Sequence, residues 1–205
     1  MKITRIDKYL KDKKHFNLGS EIGKKTSAFI AKLATESERA AVVLGTARLD
    51  YALEKLLKSI LRSNPGGNDS LFSADQPLSS FAAKIALSYR LGLIDSDFEH
   101  ALQMIRKIRN AFAHSIDTES LKDSRHRDRI LESMKLAKNH PSWETLYDVL
   151  ADIKPEELRN FCCVIAIIIS TIELIELLNE QVTVNCSASF DTSIIENCLD
   201  NLEDG

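Results

Sequence analysis

The chain has 205 residues, 44% of them hydrophobic, with a formal net charge of −3 at pH 7. That length and apolar content suit a single globular core and exclude an intrinsically disordered chain. Only 7 Gly, 4 Pro and 6% aromatic residues, in a sequence dominated by Leu, Ile, Ala, Lys and Glu, describe an all-α protein. A near-balanced charge is also a poor basis for autonomous DNA binding, and no helix-turn-helix with a basic recognition helix is evident.

Residues 3–14 read as a short charged helix or arm, and Gly19 and Gly23 punctuate the next segment. Thr35 or Ser37 is the natural N-cap of a long helix reaching about Arg62. Its apolar positions Leu49, Leu53, Leu56, Leu57, Ile60 and Leu61 recur at threes and fours. Asn64-Pro65-Gly66-Gly67-Asn68-Asp69 ends that helix in a loop. A second helix opens at Pro77-Leu78-Ser79 and runs through Tyr89. Leu91-Gly92-Leu93-Ile94 then makes a tight corner with Gly92 just past the helix end. Asp95 caps a third helix, from Asp97 to near His114, with Ala101, Leu102, Ile105, Ile108 and Phe112 as its core face.

Residues 116–139 give a weaker helical stripe through Leu121, Ile130, Leu131, Met134 and Leu136, broken by Pro141-Ser142-Trp143. Pro155 starts the most apolar helix, about 156–180. Beyond Val182 the chain is polar, with a final helix near 191–202. The predicted organisation is a basic N-terminal arm over 1–35, a helical-bundle domain over 36–180 and an acidic C-terminal extension over 181–205. Residues 1–25 carry eight Lys/Arg against three Asp/Glu, whereas Asn160 to the end carries eight Asp/Glu and no Lys or Arg. Two solvated ends explain this most simply; pairing of the ends within a dimer is the alternative.

Cys162, Cys163, Cys186 and Cys198 form no CxxC, so neither a disulfide framework nor a zinc site is expected. Cys162 and Cys163 lie in the apolar helix and behave as small hydrophobes, consistent with a reducing cytoplasm. The charge-broken start does not read as a signal peptide. The apolar run from Phe161 to Ile172, closed by Glu173 and Glu176, is short for a membrane span and reads as a buried helix.

Chemistry concentrates in Ile105-Arg106-Lys107-Ile108-Arg109-Asn110-Ala111-Phe112-Ala113-His114-Ser115. Arg106, Asn110 and His114 at i, i+4 and i+8 share a helix face. Arg109 stands about 140° from His114 on a regular helix, so the two converge only if the helix loosens or a second subunit closes the site. A guanidinium grips phosphate through parallel hydrogen bonds and stays charged, and an imidazole moves protons near neutral pH. With eleven arginines and five histidines, a pair at this spacing is also expected by chance. The plain alternative is a helix C-terminus where cations complement the macrodipole.

The wider context is more specific. Leu-Ser-Ser-Phe-Ala-Ala-Lys-Ile-Ala-Leu-Ser-Tyr-Arg-Leu-Gly-Leu-Ile from Leu78, followed by an Asp-rich turn and Ile-Arg-Lys-Ile-Arg-Asn-Ala-Phe-Ala-His-Ser, resembles the mannitol operon repressor family. Arg48-Leu49-Asp50-Tyr51-Ala52-Leu53-Glu54-Lys55-Leu56-Leu57 resembles that family's first core helix. The likeness spans about residues 40–116. Arg109-Asn110-x3-His114 also resembles the signature of the HEPN superfamily, many of whose members are metal-independent RNases acting as toxins or in antiviral defence. In those proteins the corresponding residues line a cleft between two subunits.

The resemblance implies a HEPN-like helical bundle forming a homodimer, with Arg109, Asn110 and His114 as catalytic residues, an RNA substrate, and no metal or cofactor. His114 would serve as general base or acid, Arg109 would stabilise the phosphorane, and Asn110 would orient His114 or a phosphate oxygen. Products would end in a 2′,3′-cyclic phosphate. Arg106 is a supporting residue, and Asp50 or Glu54 would orient Arg109, unless both are surface charges. The alternative implied function is a mannitol-repressor-like transcriptional regulator that acts through protein partners without catalysis. Either reading admits a protein partner, an antitoxin or a regulator.

Lys122, Arg125, His126, Arg127 and Arg129 form a basic cluster interleaved with Asp123 and Asp128. It suits an RNA backbone, but reads more simply as a solvated, self-paired helix face. His15, His100 and His140 are isolated and read as surface residues. Trp143 reads as a core or lid anchor. Gly66-Gly67 lacks the spacing of a phosphate-binding loop.

Overall fold

The computed structural model describes residues 13–64, 66–67, 70–114 and 119–179. Among them lie seven α-helices: α1 (Lys13–Leu33), α2 (Glu38–Ile60), α3 (Phe81–Arg90), α4 (Ser96–His114), α5 (Ser124–Ala137), α6 (Trp143–Val149) and α7 (Glu156–Leu178). One 3₁₀ turn, Ser70–Phe72, comes after α2. No strand occurs among the described residues, and the all-α expectation holds.

Helix α7 is the axis around which the others pack. Leu158, every residue from Asn160 to Ile169, and Ile172 are buried, in contact with α1, α2, α5 and α6. Its length and apolarity would suffice to cross a membrane. The four helices packed on it account for that apolarity without a bilayer. The Cys162 and Cys163 thiols sit fully buried in it. Burial pushes them up to about 12 and about 11, so both remain protonated and unreactive.

Helix α2 lies against α7 through Gly45, where an added Cβ would meet Phe161 at 3.3 Å, Leu33 at 3.4 Å and Ile165 at 3.5 Å. The glycine permits that close approach. Ser37 is the N-cap, its hydroxyl accepting from the Ala40 amide at 3.2 Å. Along the same interface Arg48 pairs with Glu173, and Lys55 with Glu176 at 3.0 Å.

The corner between α3 and α4 forms as its sequence dictates. Gly92 adopts φ +70°. Its amide donates to the Tyr89 carbonyl, and the Leu93 amide to the Ser88 carbonyl, both at 3.0 Å. This pair of hydrogen bonds across a left-handed residue satisfies two of the last carbonyls of α3. Asp95 then caps α4, its carboxylate accepting from the Phe98 amide at 2.8 Å. Helix α3 itself begins at Phe81, later than Pro77-Leu78-Ser79 suggests, because Ser80 is the residue whose hydroxyl caps it, accepting from Ala83 at 3.1 Å.

The N-terminal segment differs from expectation. From Lys13 onward it is one unbroken helix that passes through Gly19 and Gly23 and packs on α7 and α2. Burial of Thr26, Ile30 and Leu33 against the bundle outweighs the low helix propensity of the glycines. The bundle therefore includes most of the segment expected as an arm over 1–35. Residues 1–12 and the expected extension over 181–205, with its final helix near 191–202, lie outside the described residues.

Candidate functional site: a cleft beside the α4 arginines

Helix α4 is placed by its apolar face. Ala101, Leu102, Ile105, Ile108 and Phe112 are buried as the periodicity predicts, which turns Arg106, Arg109 and Asn110 toward α2 and the start of α3. There they line a cleft of about 430 Å³ together with Asp50 of α2 and Ser80 at the N-cap of α3. Arg109 donates from Nη1 to Asn110 Oδ1 at 3.2 Å. Arg106 Nε donates to Gln103 Oε1 at 2.8 Å, and Gln103 donates to Glu99 at 2.8 Å. Neither guanidinium is ion-paired to a carboxylate among the described residues.

The carboxylates expected to orient Arg109 do something else. Asp50 Oδ1 and Glu54 Oε2 each lie 2.9 Å from the ammonium of Lys84, whose side chain is only 3% exposed. Glu54 also holds Lys58 at 2.6 Å. Burial works against the charged form of Glu54. The hydrogen bonds and charges of Lys58 and Lys84 outweigh it and hold the carboxyl below its usual range. Burial likewise opposes the charged Lys84, but the hydrogen bonds and charges of Glu54 and Asp50 raise its ammonium above the ordinary lysine value. Asp50 thus reaches the cleft as a half-buried carboxylate paired with the buried Lys84, and Glu54 does not line it. The i, i+4 pair of acids on α2 advertises a cation, but nothing local marks Lys84, 30 positions from Glu54, as its source.

His114 is the last residue of α4, exposed, and does not line the cleft with Arg109. On a regular helix the five-residue step turns His114 roughly 140° away from Arg109. The helix end is anchored from α2. Arg39 donates to the Phe112 carbonyl. Glu38 accepts from Ser120 Oγ at 2.9 Å and from the Leu121 amide at 2.8 Å. One orphan carbonyl of α4 and the chain around Ser120 are thereby fixed to the first turn of α2.

The basic cluster divides. Lys122, Arg125 and Arg127 are exposed and Arg129 is half-buried. Arg125 is engaged by both oxygens of Glu119, at 2.8 and 2.9 Å. His126 leaves the cluster altogether: it is fully buried, 5.3 Å from the Phe112 ring, with Nε2 bonded to Glu119. The bonds from His126 and, after burial's opposing effect, from Arg125 hold the Glu119 carboxyl below its usual range.

Glu119, Asp123 and His126 bring ligand-type atoms within 4.8 Å of one another. A metal there would need a bare Nε2 on His126 and hence a proton on Nδ1, which is buried with no acceptor. Arg125 also already occupies the carboxylate. These residues fit a polar clamp on the end of α4 better than a metal centre.

Trp143 is 3% exposed and stacked 5.5 Å from Tyr147, a core anchor. His100 is half-buried rather than on the surface, 3.4 Å from Glu132. His140 is half-buried rather than on the surface, and burial lowers its imidazole. The side chain of His15 lies outside the described residues. Comparison with protein-family models, with curated proteins and with solved structures gives no match.

Proposed function

We propose that this protein is a metal-independent endoribonuclease of HEPN type whose site is completed by a second copy of the chain. The observation that carries the reading is the pair of guanidiniums, Arg106 and Arg109, turned into one cleft with no carboxylate partner among the described residues. Unpaired arginines in a concave site suit a phosphodiester. The N-terminal end of α3, at Ser80 and Phe81, supplies further partial positive charge on the same cleft.

The rest of the kit comes from the second subunit. Val43, Leu44 and Tyr51 on α2 are 39%, 47% and 56% exposed, and Val43 borders the cleft. An apolar strip beside an arginine cleft suits a covering copy, which would bring His114 of the partner subunit toward Arg109. In the reaction the ribose 2′-hydroxyl loses its proton to one His114 and attacks phosphorus. The P–O5′ bond breaks, and the 5′-oxygen takes a proton back from the same His114 or from water. The products are a 2′,3′-cyclic phosphate and a 5′-hydroxyl. Arg109, held by Asn110, stabilises the charge on the phosphorane. Such an activity, in a cytoplasmic toxin or antiphage effector, would arrest growth on expression and call for a partner that restrains it.

The test is cleavage of mixed single-stranded RNA in chelator by the wild-type protein, Arg109→Ala and His114→Ala. Activity lost in both variants supports the proposal. Cleavage unchanged in His114→Ala, or absent from the wild type over several RNAs, refutes it.

A further inference from the structure

A second concavity shares no residue with the arginine cleft. It is an open groove of about 650 Å³ between α1, the α5–α6 turn, α6 and the middle of α7. Its walls include Ile30, Leu146, Ala166 and Ile167, and among the described residues no Asp, Glu, Lys or Arg lines it. The polar groups are neutral: the hydroxyls of Thr26, Ser27, Ser142, Thr145 and Ser170, and the imidazole of His140. Thr26 is 6% exposed, and its only contact with Ser170 is a long 3.4 Å hydrogen bond, so both hydroxyls keep capacity for another partner. His140 Nδ1 accepts from the Ser142 amide at 3.2 Å, which leaves its proton on Nε2 as a donor.

Gly23 points to an occupant. It lies inside α1, where glycine disfavours the helix relative to alanine. Unlike Gly45 it serves no close packing: an added Cβ would meet nothing within 4 Å. Its effect is to leave the groove wall open.

We infer that this groove binds an uncharged, largely apolar small molecule carrying one or two hydrogen-bonding groups. The volume is that of a small-ligand pocket, apolar with a few placed polar groups. The lack of any charged lining residue among the described residues sets the ligand's charge, because an ion would lose hydration there without gaining a counter-charge. The acidic segment after Asn179, which carries no Lys or Arg, is a poor electrostatic match for the same reason.

The test uses the full chain and two dyes that differ by one sulfonate group. Neutral N-phenyl-1-naphthylamine should bind saturably, quenching Trp143, the single tryptophan, which sits between the lining residues Ser142 and Thr145. The sulfonated analogue, 8-anilinonaphthalene-1-sulfonate, should bind at least about tenfold more weakly. Gly23→Phe, and separately Ala31→Phe, should reduce binding of the neutral dye at least about tenfold without lowering the melting temperature. Non-saturable binding, equal or better binding of the sulfonated dye, or full binding by both variants overturns the proposal. So does a gain in dye affinity in the full-length variant I194D/I195D, which would assign the groove to the chain's own C-terminal segment.

Discussion

Replacing Lys84 by methionine tests the charge cluster behind the arginine cleft. The substitution keeps the length of the side chain and removes a cation that is 3% exposed and ion-paired at 2.9 Å with both Asp50 and Glu54. Removing one partner of a buried ion pair costs about 3–5 kcal/mol, because the remaining charge is stranded. Here the carboxylates are 32% and 24% exposed and Glu54 keeps Lys58, so both can partly rehydrate. The expected loss is therefore about 2–3 kcal/mol, or roughly 4–12 °C in melting temperature for a domain of this size.

The pH dependence carries a sign. Glu54 has its carboxyl lowered in the folded state, so its contribution is present above the ordinary carboxyl range and fades as pH falls through the lowered value. Lys84 is raised, so its contribution is present below the ordinary lysine value and is lost as pH climbs through the raised one. In Lys84→Met both dependences shrink, and the gap from wild type narrows on acidification as the stranded carboxylates protonate. Urea denaturation at pH 7 and pH 4 measures this. The triple variant K84M/D50N/E54Q should recover most of the loss. A single variant within about 0.5 kcal/mol of wild type at pH 7 would refute the assignment of Lys84 as the shared cation.

The same geometry sets other expectations. In a C186S/C198S background, Cys162 and Cys163 should resist a thiol reagent in the native state and react only at the rate of unfolding; immediate reaction would contradict their burial. Glu119 is lowered by its bonds to His126 and Arg125, so its contribution to stability should be present above the ordinary carboxyl range and fade as pH falls through the lowered value. Glu119→Gln should flatten that part of the acid limb, and an unchanged limb on denaturation would show that the clamp does not form. Phe112→Ala removes a fully buried ring at the end of α4 and should cost about 3–5 kcal/mol by denaturation; a loss under about 1 kcal/mol would contradict its packing.

Much of the bundle is legible in the sequence because its signals are local. Ser37, Gly92 and Asp95 each announce a helix boundary by what one side chain or one missing Cβ does to the nearest amides, and the core face of α4 is written at threes and fours. Helix α1 is not legible in this way. Gly19 and Gly23 read as punctuation, and only contact with α7, distant in sequence, decides that the helix continues. The candidate site divides along the same line. Arg106, Arg109 and Asn110 share a cleft because they lie within five positions on one helix. Lys84 as the partner of Asp50 and Glu54, and His126 as a buried residue rather than a surface cation, escape a sequence reading because both depend on contacts between separate helices. The offset of His114 from Arg109 follows from helix geometry, and the proposed second subunit is what would complete the site.

The most direct measurement is cleavage of single-stranded RNA in chelator by a mixture of two inactive variants. Arg109→Ala and His114→Ala should each be inactive alone. If the site spans two chains, mixed heterodimers hold one intact composite site, and activity should return to about a quarter of wild type, since random pairing gives one half heterodimers with one of two sites restored. Wild-type cleavage with no recovery on mixing, after subunit exchange is verified, would contradict the two-chain site. Wild-type protein that cuts no RNA would contradict the nuclease.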